Sequence, residues 1–265
     1  MCAETERSPL KAKPLRNPGD SVQDMVVDYA FGRLLPTLWL TALLWTLVLL
    51  AWIRDSTGWQ PSTSLCFASA ALMSVLCAAQ LRAAQKRIGS LQLGRDGERL
   101  VGELLERRFA ARGARVLHDI PGDGFNLDHV LITPQGVFVI ETKTRSKPSR
   151  GDAQVTLEAD GISVGGFPLE RDPISQVQRA CRWLSELLEE STGKPVNVRG
   201  VVVFPGWFVE PMSQQWLTAG RPWVLEPKAL PSFVGHEPVA LADADISMIA
   251  YHLSRYVRAR QRAGA

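Results

Sequence analysis

From Leu34 to Ile53 the chain carries twenty consecutive residues without a charge, LLPTLWLTALLWTLVLLAWI. As a helix rising about 1.5 Å per residue, such a run spans roughly 30 Å of hydrocarbon. It shows no polar face, which sets it apart from the core helix of a soluble domain. A second uncharged stretch, Ser56 to Leu81, is diluted by Ser and Gln and is most apolar in LCFASAALMSVLCAA. The short link between the two holds Trp59 and Pro61, so the pattern predicts a two-helix transmembrane hairpin over 34–82. Residues 1–33 are polar and proline-containing and are read as a flexible segment.

Beyond the hairpin the periodicity changes. GRDGERLVGELLERRFAARG places Val101, Leu105 and Phe109 on one helical stripe, with Gly113 as a stop. Glu98 falls in the first turn of that predicted helix and on its apolar side. ARVLHDI reads as a strand, and LDHVLITPQGVFVIETK as two β-branched runs around the turn TPQG. A small hairpin is predicted over 154–164. DPISQVQRACRWLSELLEESTG is a helix capped by Asp172, with Pro173 at its first position and Gly193 past its end. RGVVVFPG then forms a buried strand, parallel to its neighbour because it follows a crossover helix. A strand near Trp223 and a helix from about Ala242 to Arg262 complete the chain. The expected layout is an α/β domain over 88–235, followed at 236–265 by a C-terminal helix with a solvated basic end.

Charge adds an orientation. The first 87 residues hold 9 Lys/Arg against 6 Asp/Glu, and residues 88–265 hold 21 of each. Arg16 and Arg33 precede the hairpin, Arg82, Lys86 and Arg87 follow it, and Arg54 alone lies between. Both ends are therefore expected on the cytoplasmic side of a cell membrane. The neutral soluble part excludes binding of nucleic acid by gross basic excess and leaves local clusters to carry that case. Cys2, Cys66, Cys77 and Cys181 form no CxxC pair and are read as free thiols, and the four histidines have no zinc-ligand spacing.

The chemistry gathers on the strand pair. If TPQG closes a four-residue connection, Ile132 faces Val137, and counting back puts Asp128 opposite Glu141. Lys143 shares the face of Glu141. Facing carboxylates in a covered sheet destabilise it unless something neutralises them, and a divalent cation does so naturally. KTRSKPSR, from Lys143 to Arg150, holds four basic residues and no acid. Arg145, Lys147 and Arg150 form either a phosphate-tracking segment or a solvated loop. Trp183, Trp207, Phe208, Trp216 and Trp223 are read as core aromatics first and base-stacking groups second.

In this order and at these intervals, GRDGERLV, LDHVLITPQGVFVIETK and DPISQ resemble the NERD (nuclease-related) domain of the PD-(D/E)XK nuclease superfamily, over about residues 92–205. The resemblance implies a restriction-endonuclease-like core, a mixed central sheet flanked by helices. It also implies a catalytic set of Asp128, Glu141 and Lys143, with Glu98 and Gln176 as further polar members. Asp172 stands where the family more often has Asn, a harmless exchange at a cap. In this reading Asp128 and Glu141, with the Thr142 carbonyl and Glu98, hold Mg²⁺ or Mn²⁺, while Lys143 orients water or stabilises phosphate charge rather than acting as base. The function implied is a membrane-anchored, metal-dependent nuclease acting on DNA in preference to RNA. The alternative is a non-catalytic nucleic-acid-binding or protein-interaction module on the same fold.

Overall fold

The computed structural model describes residues 17–20, 25, 27, 35–57, 63–147, 154–158, 161–169, 171–213, 216 and 220–263. Its contacts divide the chain into two compact units, residues 21–95 and residues 1–20 with 96–265.

In the first unit, helix α1 (Leu35–Asp55) runs beside the opening part of helix α2 (Thr63–Phe109). The Thr37 hydroxyl donates to Gln80 Oε1 at 3.0 Å and the Trp45 indole N–H donates to Ser74 Oγ at 2.9 Å, which fixes the pair as antiparallel. Among the described residues α1 alone is long and apolar enough to cross a membrane. A second, separate span is not shown. The stretch expected to form it continues without a break to Phe109, a helix of 47 residues. Gly89, Gly94 and Gly97 were natural places to expect an end, yet each costs a helix only about 1 kcal/mol, and the Leu, Ala, Gln, Arg and Lys around them favour helix. Glu98 therefore lies well inside a helix and not in its first turn.

The second unit is built on a five-stranded sheet of order β1-β2-β3-β7-β9: β1 (Arg115–Pro121), β2 (Asn126–Thr133), β3 (Gly136–Thr142), β7 (Val198–Val203) and β9 (Trp223–Leu225). β1, β2 and β3 pair antiparallel, and β3, β7 and β9 parallel, so the sheet is mixed. Ile132 faces Val137 as the turn predicts. Every residue of β3 is buried, as a central strand covered on both faces requires. One face carries Val130, Ile132, Val137 and Val139 against helix α3 (Pro173–Thr192) and, beyond a short helix α4 (Leu230–His236), helix α5 (Asp243–Ala263). The other carries Leu131, Phe138 and Ile140 against Val101, Leu105 and Phe109 of α2 and against Leu230 and Val234 of α4. α3 begins as its sequence dictates. Asp172 accepts from the backbone N–H groups of Ile174 and Ser175, Pro173 opens the first turn, and Gly193 closes the helix in a left-handed conformation.

A second sheet, of order β6-β5-β4-β8, extends the predicted small hairpin. It comprises β4 (Gln154–Glu158), β5 (Gly161–Val164), β6 (Phe167–Pro168) and β8 (Phe208–Val209). Gly165 and Gly166, both at positive φ, make the two-residue turn between β5 and β6. The two-residue strands at its edges are too short to leave a periodic signature.

Candidate active site

The sheet opens where β2 begins and β3 ends. The β2–β3 ladder runs from the turn to the pair His129 and Ile140 and stops one pair short of Asp128 and Glu141. There the Asp128 carboxylate takes over the ladder's role, accepting the Thr142 backbone N–H on Oδ2 at 2.7 Å. Glu141, 5% exposed, accepts through a single oxygen, Oε1, from Lys143 Nζ at 2.6 Å and from Gln176 Nε2 at 2.7 Å. Lys143 Nζ also donates to Gln176 Oε1 at 3.0 Å. Only one orientation of the Gln176 amide satisfies both partners, so the network itself sets it. Gln176 stands in the first turn of α3, at the same end of the sheet, because α3 feeds the parallel strand β7.

Glu98 reaches this end from α2 on the opposite face. Desolvation, then the charges of Asp119 and Glu141, push its carboxyl up to about 7. Asp128 is held well above the ordinary carboxylate range by burial and by Glu141 and Glu98. The Gly19 N–H donates to Glu98, and Pro18 lies against Gly102 of α2. Residues 17–20, expected within a flexible segment, thus form a turn against the helix, with the Asn17 N–H donating to Asp20 Oδ2 at 2.8 Å. α2 comes close at Gly97, where an added Cβ would run into the Thr144 hydroxyl and methyl groups.

Four carboxylates, Glu98, Asp119, Asp128 and Glu141, share this corner with one ammonium, Lys143. Asp119, 4% exposed and at φ 49°, accepts from Asn126 Nδ2 at 3.1 Å. Its signal in the sequence was an acid in a strand just before the Gly-rich loop PGDG. Behind Asp128, His118 and His129 meet through their Nδ1 atoms at 2.8 Å, and Glu106 lies 3.2 Å from His118 Nε2. Burial lowers both imidazoles' pKa values. A hydrogen bond between two Nδ1 atoms needs one donor and one acceptor, which suits a neutral structural pair.

The site's donors suit a divalent cation. Hydrogen bonds from described residues engage one oxygen each of Asp128 and Glu141 and leave the other for a ligand. Among the described residues the buried Thr142 and Thr144 hydroxyls have no hydrogen-bond partner. Among the described residues no three His, Cys, Asp or Glu are gathered tightly enough to form a closed cage.

Residues 93–205 match the family model of the nuclease-related domain, NERD. The chain carries a nuclease-related domain. Its family belongs to the PD-(D/E)XK-like nucleases. No curated protein matches the chain. The solved structure of Pyrococcus furiosus SfsA in complex with Ca²⁺ is 18% identical over 60% of this chain and 54% of its own, with a TM-score of 0.23. That superposition is too loose to carry an argument, and the chain spans about half of that structure.

Within the nuclease-related domain, the structure brings Glu98, Asp128, Glu141, Lys143 and Gln176 together, with the Thr142 N–H bound to Asp128. Arg145 and Lys147 lie just beyond, and Arg150 falls outside the described residues. Arg171, missed in the sequence, lines a pocket of about 250 Å³ with Lys143, Thr144 and Arg145. Its place directly before the Asp172 cap was the available signal. Trp207, Trp216 and Trp223 are core residues as expected, whereas Phe208 is exposed. The basic end of the C-terminal helix is exposed as expected, and Arg260 also pairs with Asp123 of the Gly-rich loop.

Proposed function

We propose that this protein is a membrane-anchored, divalent-metal-dependent nuclease that hydrolyses phosphodiester bonds, with DNA as its preferred substrate. The observation that carries this is the crowding of acids at the sheet end: among the described residues Glu98, Asp119, Asp128 and Glu141 lie together, Lys143 is the cation whose charge acts on Glu98 and Asp128, and those two carboxyls are pushed toward protonation. A fold tolerates such repulsion where a cation is to be bound.

Asp128 and Glu141 hold the metal, with the Thr142 carbonyl and Glu98 completing its surroundings. When bound, Mg²⁺ or Mn²⁺ supplies charge for the phosphate oxygens and acidifies water, whose pKa in bulk is about 15.7. Lys143, held between Glu141 and Gln176, stabilises charge gained on the phosphate. Gln176 positions Lys143 and Glu141 and does not react. Glu98 would hold a metal-bound water or a second cation beside Asp128 and Glu141.

Anchoring is supported by α1 and by the apolar exterior of its pairing with α2. Trp39, Leu43 and Trp52 on one helix and Leu72 and Val75 on the other are more than half exposed. The bonds from Thr37 to Gln80 and from Trp45 to Ser74 match the polar ties that hold helices together in lipid. In this reading the hairpin spans a cell membrane, with both ends and the nuclease-related domain in the cytoplasm.

The test is cleavage of labelled DNA and RNA by the detergent-solubilised chain, with Mg²⁺, Mn²⁺ or EDTA. Metal-dependent cleavage that falls at least about a hundredfold in both Asp128→Asn and Lys143→Ala is expected. Folded protein that binds nucleic acid but cleaves none with either metal would replace this reading with the binding module.

A further inference from the structure

The basic stretch after Glu141 is not a loose loop. The Lys143 N–H donates to the Val203 carbonyl at 2.9 Å. The Trp207 indole N–H donates to the Arg145 carbonyl at 3.2 Å, and the Lys147 stem lies over Gly206. These ties lay residues 143–147 along the end of β7 and the turn after it. Two adjoining hollows share Arg145. One, of about 250 Å³, holds Lys143, Arg145 and Arg171. The other, of about 510 Å³, holds Arg145 and Lys147 with Val164, Phe167, Pro168 and Trp207. Together they present four cationic side chains, and among the described residues neither lining contains a carboxylate.

The second hollow also has an apolar floor. Phe167 pairs with Val164 across the β5–β6 turn and so shares its face. Val164 is buried, while Phe167 stands at the sheet's edge, 70% exposed. Trp207, 3% exposed, is the wall behind. Phe208 sits opposite Gln154, on the other face, and takes no part. A cationic track leading from the catalytic lysine to an open aromatic ring matches one occupant. Phosphates follow the cations, and an unpaired base stacks on the ring. A duplex keeps its bases in the stack and offers the ring nothing.

We propose that this groove is a single-strand subsite: Arg145, Lys147 and Arg171 track the backbone of a single-stranded or frayed nucleic acid, and Phe167 stacks one of its bases beside the scissile phosphate. The proposal rests on the reading of the chain as acting on nucleic acid. It adds that the strand enters unpaired, and it places the entrance on the second sheet.

The experiment measures fluorescence anisotropy of the detergent-solubilised chain in EDTA, so that no cleavage is needed. The probes are oligo(dT), oligo(U), a duplex of equal length and an abasic strand carrying the same phosphates. Single strands should bind more tightly than duplex. Phe167→Ala should weaken oligo(dT) binding about tenfold and leave the abasic strand unchanged, while Phe167→Tyr keeps the affinity. Arg171→Gln should weaken all four probes and flatten the salt dependence. Whether oligo(dT) or oligo(U) binds better reports the sugar preferred. Equal binding of duplex and single strand, or a Phe167→Ala protein that binds oligo(dT) normally, overturns the subsite while leaving metal-dependent cleavage intact. Stacking without cleavage under any metal overturns the nuclease and leaves the subsite.

Discussion

Gln176 binds both of its neighbours through opposite ends of one amide, and this makes its replacements informative. Gln176→Leu leaves Glu141 and Lys143 paired but unsteered, and turnover should fall about tenfold with little change in substrate binding, read as kcat against KM. The carboxylates give a second prediction. Glu98, near 7, and Asp128, raised well above its ordinary value, hold protons more tightly in the folded chain than in the unfolded one. The native state therefore carries extra protons above about pH 4.5, and this contribution to stability fades as pH rises through about 7. In EDTA the melting temperature should drop across that window, and Mg²⁺ should raise it more at about pH 8 than at pH 5. Asp128→Asn should melt higher than the parent in EDTA at pH 8 and lose the response to Mg²⁺. A melting curve indifferent to both pH and Mg²⁺ would sink the cation reading. Asp128, Glu141 and Lys143 were legible in sequence because strand alternation and a short turn fix their relation. Asp119 and Arg171 were not, since one depends on a positive φ at the end of β1 and the other on a pocket wall.

At the level of elements, the close approach of α2 to Thr144 matters most. Alanine at position 97 would favour helix by about 1 kcal/mol, but the collision with Thr144 opposes it, and overpacking costs about 1–3 kcal/mol. With Cγ2 only 2.9 Å from the added Cβ, the collision should win. Gly97→Ala is expected to lower activity by shifting Glu98, and Thr144→Ala should restore much of it, a coupling that a double-mutant cycle reads directly. Buried elements with a strong period, β2, β3, α3, β7 and α5, were legible from sequence because one face of each is uniformly apolar. The full extent of α2 was not. Its end was read from Gly113, which takes a left-handed conformation there, whereas its start was missed because the helix runs unbroken from Thr63. β6 and β8 escaped because two residues display no alternation.

For the whole molecule, the exposed Trp and Leu side chains of α1 predict retention in the membrane pellet after alkaline carbonate washing. Release into the supernatant would mark the hairpin as a soluble interaction surface instead. The second span, expected from sequence, is not shown as a separate apolar helix, because Ser and Gln dilute it to a level that either lipid or a helix partner can satisfy. The site, for its part, draws Glu98 from one layer, Asp128 and Glu141 from the sheet, and Gln176 from the other layer. The strand after Glu141 is pinned by Val203, a hundred residues downstream of the first of these. No shorter stretch of the chain contains the constellation. During synthesis the emerging polypeptide therefore cannot assemble the constellation until β7 has left the ribosome and both layers have closed on the sheet.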